Sequence, residues 1–195
     1  GVDVPLPVAV SRDSAVPRLL FLSNLIESKG VYVFLDACRE LKEKGYEFIG
    51  DFVGGETREI NRETFNNEVQ NRGLQENVIY HGPQYGAEKE RFFREADIFV
   101  QPTFEDCFPL TIVEAMRYGL SVVSTDEGAI PDMVVDGETG FICPRKEVQA
   151  LVNALKKLLK NSELRKQMGE NGCSRYKEKY TLRAFEKTFR GILSD

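Results

Sequence analysis

Tryptophan is absent from this chain, and histidine occurs once, at His81. The four cysteines, Cys38, Cys107, Cys143 and Cys173, stand far apart with no C-x-x-C pair. So few thiol and imidazole side chains at such spacing argue against a zinc site. The same scatter argues against a disulfide framework and fits a reducing cytoplasm. No G-x-G-x-x-G run occurs, because Gly54-Gly55 leads into Glu56, so the dinucleotide fingerprint is missing. Positive charge is not in excess: the net charge of −5 leaves no basic footprint for nucleic acid. No apolar run approaches the length of a bilayer span. The opening GVDVPLPVAV has neither the basic start nor the apolar stretch of a secretory leader. Internal repeats and low-complexity segments are also lacking.

What is there is the material of one compact domain: 195 residues, of which 42% are hydrophobic. Short apolar runs predict strands over 18–23, 47–53, 78–81, 97–101, 121–124 and 140–143. Between them, helical spacing predicts helices over 30–44, 58–72, 87–95, 109–118, 147–160, 162–180 and 182–193. In the first helix Val31, Phe34, Leu35, Cys38 and Leu41 share one face, and Gly45 ends it. Strands alternating with helices imply an α/β, Rossmann-like doubly wound parallel sheet of about six strands, covered on both faces. Residues 1–17 read as a linker to this single domain. Ligands of such sheets bind outside the carboxyl ends of the strands.

One of those strand ends leads into FEDCFPLTIVEAMRYGLSVVSTDEGAIPD, residues 104–132. Asp106 is followed after seven residues by Glu114, inside an otherwise apolar helix. Pro109 suits the first helical position, where its missing N–H costs nothing. The amides of Leu110, Thr111 and their neighbours would then face the strand-end cleft as an anion site. Any helix start has this property, and most meet only water. Thr111, Glu114 and Arg117 fall on one stripe; periodicity alone favours reading that stripe as the solvent face of an amphipathic helix. Glu105 and Asp106 read alternatively as acids favouring the start of the following helix. His81 is expected at a strand end, not in catalysis.

These segments resemble the acidic-x7-Glu region of retaining glycosyltransferases of the GT-B architecture, in the group 1 (GT4-like) family. LLFLSNLIESKGVYVFLDACREL, from Leu19 to Leu41, resembles the family's first strand, phosphate-binding turn and first helix. DFVGG (51–55), VIYHGPQ (78–84), ADIFVQPTFEDCFPL (96–110) and DGETGFICP (136–144) are similar to its later strand ends, in the same order. The resemblance covers residues 18–180 and only the C-terminal, donor-binding half of such an enzyme.

The resemblance implies a transfer of a hexose from a nucleotide-diphosphate sugar, UDP- or GDP-linked, to a glycan or lipid-linked acceptor, with no other cofactor and no metal. It implies that Lys29 and the helix start at Pro109, Leu110 and Thr111 bind the donor diphosphate. Glu114 is then the residue for the ribose hydroxyls, and Asp106, with backbone near Phe108, for the sugar. Asp106 stands where the family usually has glutamate, and Glu105 is an alternative supplier of that carboxylate. Asn24 occupies the position of a second diphosphate cation, usually arginine. Backbone near Gly82 is implied to meet the nucleobase. The family's paired glycines are Gly128 and Ala129 here, followed by Asp132. Catalytic roles thus fall on Asp106, Lys29 and Glu114. The acceptor is expected to reach the site through an N-terminal domain that these residues do not include, onto which the helix at 181–195 would pack. Its stripe of Leu182, Phe185, Phe189 and Ile192 is expected to be partly exposed. The resemblance further implies polysaccharide biosynthesis in the cytoplasm or at the inner membrane surface, and an isolated domain without transferase activity. Two other readings stay open: a nucleotide-sugar 2-epimerase of the same architecture, and a non-catalytic nucleotide-sugar-binding module.

Overall fold

The computed structural model describes residues 16–184 and 186. The strands are β1 (Arg18–Leu22), β2 (Ile49–Val53), β3 (Val78–Gly82), β4 (Ile98–Gln101), β5 (Ser121–Thr125) and β6 (Gly140–Cys143). The α-helices are α1 (Val31–Glu43), α2 (Arg62–Asn71), α3 (Gly86–Glu95), α4 (Leu110–Arg117), α5 (Ile130–Met133), α6 (Val148–Lys160) and α7 (Ser162–Lys179). All six strands run parallel in the order β3-β2-β1-β4-β5-β6. The chain therefore builds outward from β1 in one direction, then returns to build outward from β4 in the other. Loops leaving β1 and β4 diverge to opposite faces and open a crevice at their carboxyl ends.

β1 shows why the sequence reads as a buried strand. Leu19 and Phe21 belong to the core beneath α1, α2 and α6, whereas Leu20 and Leu22 belong to the core beneath α3, α4 and α5. Side chains alternate across a strand, so a strand covered on both faces needs an unbroken apolar run. Phe21, Phe34, Phe52, Phe65 and Tyr80 make a chain of ring contacts through the first core, with centroids 4.9–6.3 Å apart. On the other side α7 lies against the turn between α4 and β5. A Cβ on Gly169 would come within 2.0 Å of the Gly119 carbonyl oxygen, so glycine sets that approach.

Several boundaries differ from those the sequence predicts, each for a local reason. α2 begins at Arg62 instead of 58, because Asn61 caps it by accepting the Thr64 N–H at 2.8 Å. The residues ahead of it form a loop in which the Thr57 hydroxyl donates to the Leu25 carbonyl at 2.7 Å. α4 begins at Leu110, and Pro109 is the extended residue before it (φ −72, ψ 103), not its first helical residue. α5 has four residues, too few to show a helical period in sequence. β1 stops at Leu22, and β2 starts at Ile49. Most of the helix expected over 182–193, including Phe185, Phe189 and Ile192, lies outside the described residues.

Candidate functional site

The crevice between β1 and β4 is assembled from loops stitched together by backbone. After β1 the chain makes a single 3-10 turn, Glu27–Lys29, and enters α1 through Gly30 at φ 86. After β4 it runs beside that turn: Phe104 N–H donates to the Ser28 carbonyl at 2.8 Å, and the Thr103 hydroxyl donates to the same oxygen at 3.0 Å. The third wall is the turn after β5. Ala129 N–H donates to the Cys107 carbonyl at 3.0 Å. Gly128, at φ 51, presses so closely that a Cβ there would stand 2.2 Å from the Asp106 carbonyl oxygen. Glycine is required at that spot on both conformational and steric grounds.

These contacts bring Lys29 to Asp106. The Lys29 ammonium donates to Asp106 Oδ2 at 2.8 Å and to the Glu105 carbonyl at 2.9 Å. Lys29 is 23% exposed and Asp106 16%, drier than a solvent-facing pair, so the mutual attraction exceeds that of surface ion pairs. Of the two acids weighed in sequence, Asp106 contributes its side chain here and Glu105 its main chain. Asp106 sits on the loop wall, not at a helix cap.

The start of α4 completes the floor. A helix leaves its first amides without intrahelical partners. Ile112 N–H is taken by the Pro109 carbonyl at 3.0 Å, so those of Leu110 and Thr111 are what the start offers, and no side chain caps them. The correction at Pro109 leaves this intact, since an extended residue before the helix still exposes the same amides. The Thr111 hydroxyl donates to Gln101 Oε1 at 2.7 Å, tying α4 to the end of β4. One turn on, Glu114 accepts two hydrogen bonds from Lys89 of α3, at 2.8 and 2.7 Å. Glu114 is thus a half-exposed carboxylate whose two oxygens are both engaged by α3.

Other predicted residues spread along the crevice. Asn24 is exposed just beyond β1, and its Oδ1 accepts the Gly55 N–H at 3.0 Å. Gly82 ends β3 at φ 69, and its carbonyl accepts the Gly54 N–H at 3.0 Å. Phe108 is 45% exposed and meets Tyr180 edge-on, with centroids 6.4 Å apart; Leu110 is 68% exposed. His81 is structural: Nε2 lies 2.8 Å from Oδ1 of the buried Asp51, which also accepts from Arg18 Nη2 and Nε at 2.6 and 2.9 Å. That buried carboxylate is fully partnered, as its burial demands.

Lys89 and Gln101 escape the sequence reading. A trace of each is visible in retrospect. Gln101 is a polar residue closing a buried strand, and Lys89 is a cation in α3 whose i+4 neighbour is Phe93 and not an acid.

The topology and crevice define a doubly wound α/β domain with its polar groups gathered at the switch point. The sequence model of the family described as glycosyl transferases group 1 matches residues 9–175, and the chain belongs to that family. It is 31% identical over 147 residues to the amylovoran biosynthesis glycosyltransferase AmsK of Erwinia amylovora, covering 72% of this chain and 35% of that protein. It is 30% identical over 166 residues to the putative colanic acid biosynthesis glycosyltransferase WcaL of Escherichia coli K12, covering 80% and 39%. The chain therefore spans well under half the length of these relatives. Among solved structures it superposes on HepE of Anabaena, crystallised with UDP-glucose, with a TM-score of 0.81 at 19% identity, covering 92% of this chain and 49% of that one. At that identity the likeness is one of fold, the α/β half of the GT-B architecture. No helix among the described residues is long and apolar enough to cross a membrane.

Proposed function

We propose that this domain is the donor-binding half of a retaining glycosyltransferase that uses a nucleotide-diphosphate sugar. The observation that carries the reading is the Lys29–Asp106 pair at the switch point, beside the uncapped start of α4. A cation and helix amides meet diphosphate oxygens; a carboxylate meets hydroxyls. The crevice supplies both side by side. Membership of the family and the UDP-glucose carried by HepE point to the same ligand class.

In this reading Lys29 and the amides of Leu110 and Thr111 hold the diphosphate, Asp106 and backbone near Phe108 the sugar, and Glu114 the ribose. The acceptor hydroxyl bonds to the anomeric carbon on the face the leaving group departs from, and its proton passes to the departing diphosphate oxygen. The bond from that carbon to the diphosphate oxygen breaks, and the electron pair leaves with the nucleoside diphosphate. Charge growing on that oxygen is met by donors already in place, which is where electrostatic preorganisation lowers a barrier. The sugar passes through oxocarbenium character, as in glycoside hydrolysis. An N-terminal domain supplies the acceptor, a glycan or lipid-linked sugar, in the cytoplasm or at its membrane surface. Residues 1–195 alone then bind nucleotide without transferring sugar.

Calorimetric titration with UDP, GDP, ADP and CMP tests this. Binding of one nucleoside diphosphate, lost in Lys29→Ala and Glu114→Ala, is the expected result; indifference of binding to both substitutions overturns it. A non-catalytic nucleotide-sugar module is the second reading, favoured by Asn24, which spends its side chain on Gly55 and brings no charge to the phosphates. Full turnover by the longer protein excludes that reading.

A further inference from the structure

Lys89, like Gln101, is accounted for by neither the sequence reading nor the family assignment, and unlike Gln101 it carries a charge. α3 carries three cations. Arg91 pairs with Glu88 and Glu95 and Arg94 with Glu90, all within the helix. Lys89 instead reaches across to α4 and takes both carboxylate oxygens of Glu114, at 2.8 and 2.7 Å. The two side chains are 28% and 38% exposed. A pair that open to water contributes little to stability, so stabilising the fold is a weak reason for it. Its geometry has a clearer consequence. A glutamate on a helix surface samples several rotamers, and Lys89 holds this one in a single orientation with both oxygens engaged. A carboxylate has about four lone-pair sites; one ammonium uses two, leaving one on each oxygen for a pair of adjacent hydroxyls.

We propose that Lys89 is a positioning residue of the donor site. It orients Glu114 for a vicinal cis-diol, the 2′- and 3′-hydroxyls of a ribose, and offsets a negative charge that would otherwise repel the nearby diphosphate. The assignment rests on the reading of Glu114 as the ribose contact. Both effects have the same sign: removing Lys89 frees the Glu114 carboxylate to rotate and leaves it uncompensated beside an anionic ligand. A Lys89 that only supports packing or balances charge would affect all nucleotides alike; a positioning Lys89 also sets the preference for the ribo form.

The test titrates the chain with UDP and 2′-deoxy-UDP, and with GDP and 2′-deoxy-GDP, for wild type, Lys89→Met, Lys89→Arg, Glu114→Gln and the double variant Lys89→Met/Glu114→Gln. Wild type is expected to favour the ribo form by roughly tenfold, the scale of a hydrogen bond to a charged group. Lys89→Met should shrink that preference to within about twofold, with Lys89→Arg restoring most of it. In the Glu114→Gln background Lys89→Met should add nothing. An undiminished ribo preference in Lys89→Met, beside a lost one in Glu114→Gln, overturns the role of Lys89 while leaving the donor site standing. A ribo preference untouched in Glu114→Gln, or no binding by wild type, overturns the donor reading and Lys89 with it. Equal loss of ribo and deoxy forms in Lys89→Met leaves the lysine with charge balance or packing alone and overturns its positioning role.

Discussion

Lys29 and Asp106, 77 residues apart in sequence, form a 2.8 Å ion pair at the carboxyl ends of β1 and β4. The family resemblance implies separate duties for them, one toward diphosphate and one toward sugar. The structure makes them a single electrostatic unit in which each moderates the other. That coupling generates opposite expectations for substituting the two partners.

In Asp106→Asn the ammonium of Lys29 loses its counter-charge and is freer to serve a diphosphate. The affinity for free nucleoside diphosphate should rise by about threefold, a fraction of the Coulomb attraction at such a separation. Lys29→Met should lower it by at least about tenfold. Turnover of the longer protein should fall in both. Calorimetry on the two variants checks the contrast; equal weakening by both would mean that Asp106 supports the loop and not the charge balance.

Asn24 stands beyond β1, exposed, with Gly55 N–H as its partner. Replacing it by arginine removes a hydrogen bond worth about 0.5–1.5 kcal/mol and adds a cation near the diphosphate position. Asn24→Arg should bind nucleoside diphosphate about tenfold more tightly at low salt. The gain should shrink as ionic strength rises. A salt-independent or absent gain would show that position 24 does not face the phosphates.

Gly128 and Ala129 are neighbours with unlike tolerance. At Gly128 a methyl would meet the Asp106 carbonyl at 2.2 Å, at a φ of 51. Gly128→Ala should lose about 2 kcal/mol or more in denaturant unfolding, from the left-handed backbone and the clash together, and should weaken nucleotide binding by displacing Asp106. Ala129 sits at φ −85, ψ 4, where an L residue is at ease. Ala129→Gly should therefore gain no affinity and change stability by under about 1 kcal/mol.

Two thiols tie stability to alkaline pH. Burial pushes Cys143 up to about 11 from 9.0, with the Asp136 charge adding to it and Lys157 opposing; burial raises the fully enclosed Cys38 further. Each stays neutral in the folded chain at a pH where the unfolded chain would ionise it. This stabilisation is complete below pH 9 and is lost as pH climbs through the folded value. Midpoints of thermal unfolding should hold steady from pH 7 to 8.5 and fall between 9 and 11, less steeply in Cys143→Ala. Thiol titration at pH 8 should modify the exposed Cys107 first, with Cys38 and Cys143 reacting only on unfolding.

Much of the architecture was legible because its signals are local. An apolar run such as Leu19–Leu22 fits a strand buried on both faces, and its alternation with helical segments points to a covered parallel sheet; α1 shows its period in Val31, Phe34, Leu35, Cys38 and Leu41. The acidic-x7-Glu spacing likewise placed Asp106 on a loop and Glu114 on a helix. Periodicity was silent on α5, four residues long. It also set Pro109 one residue too far into α4, since proline is at home on either side of a helix start.

What the residues determined alone, then, was the alternation of strands and helices, the two buried faces and the membership of a family. Only the tertiary structure decided which side chain meets which. Lys29 finds Asp106 because β1 lies next to β4, and Glu114 finds Lys89 because α3 and α4 cover the same face. Strand order and loop path set those encounters, and neither leaves a periodic mark on the chain.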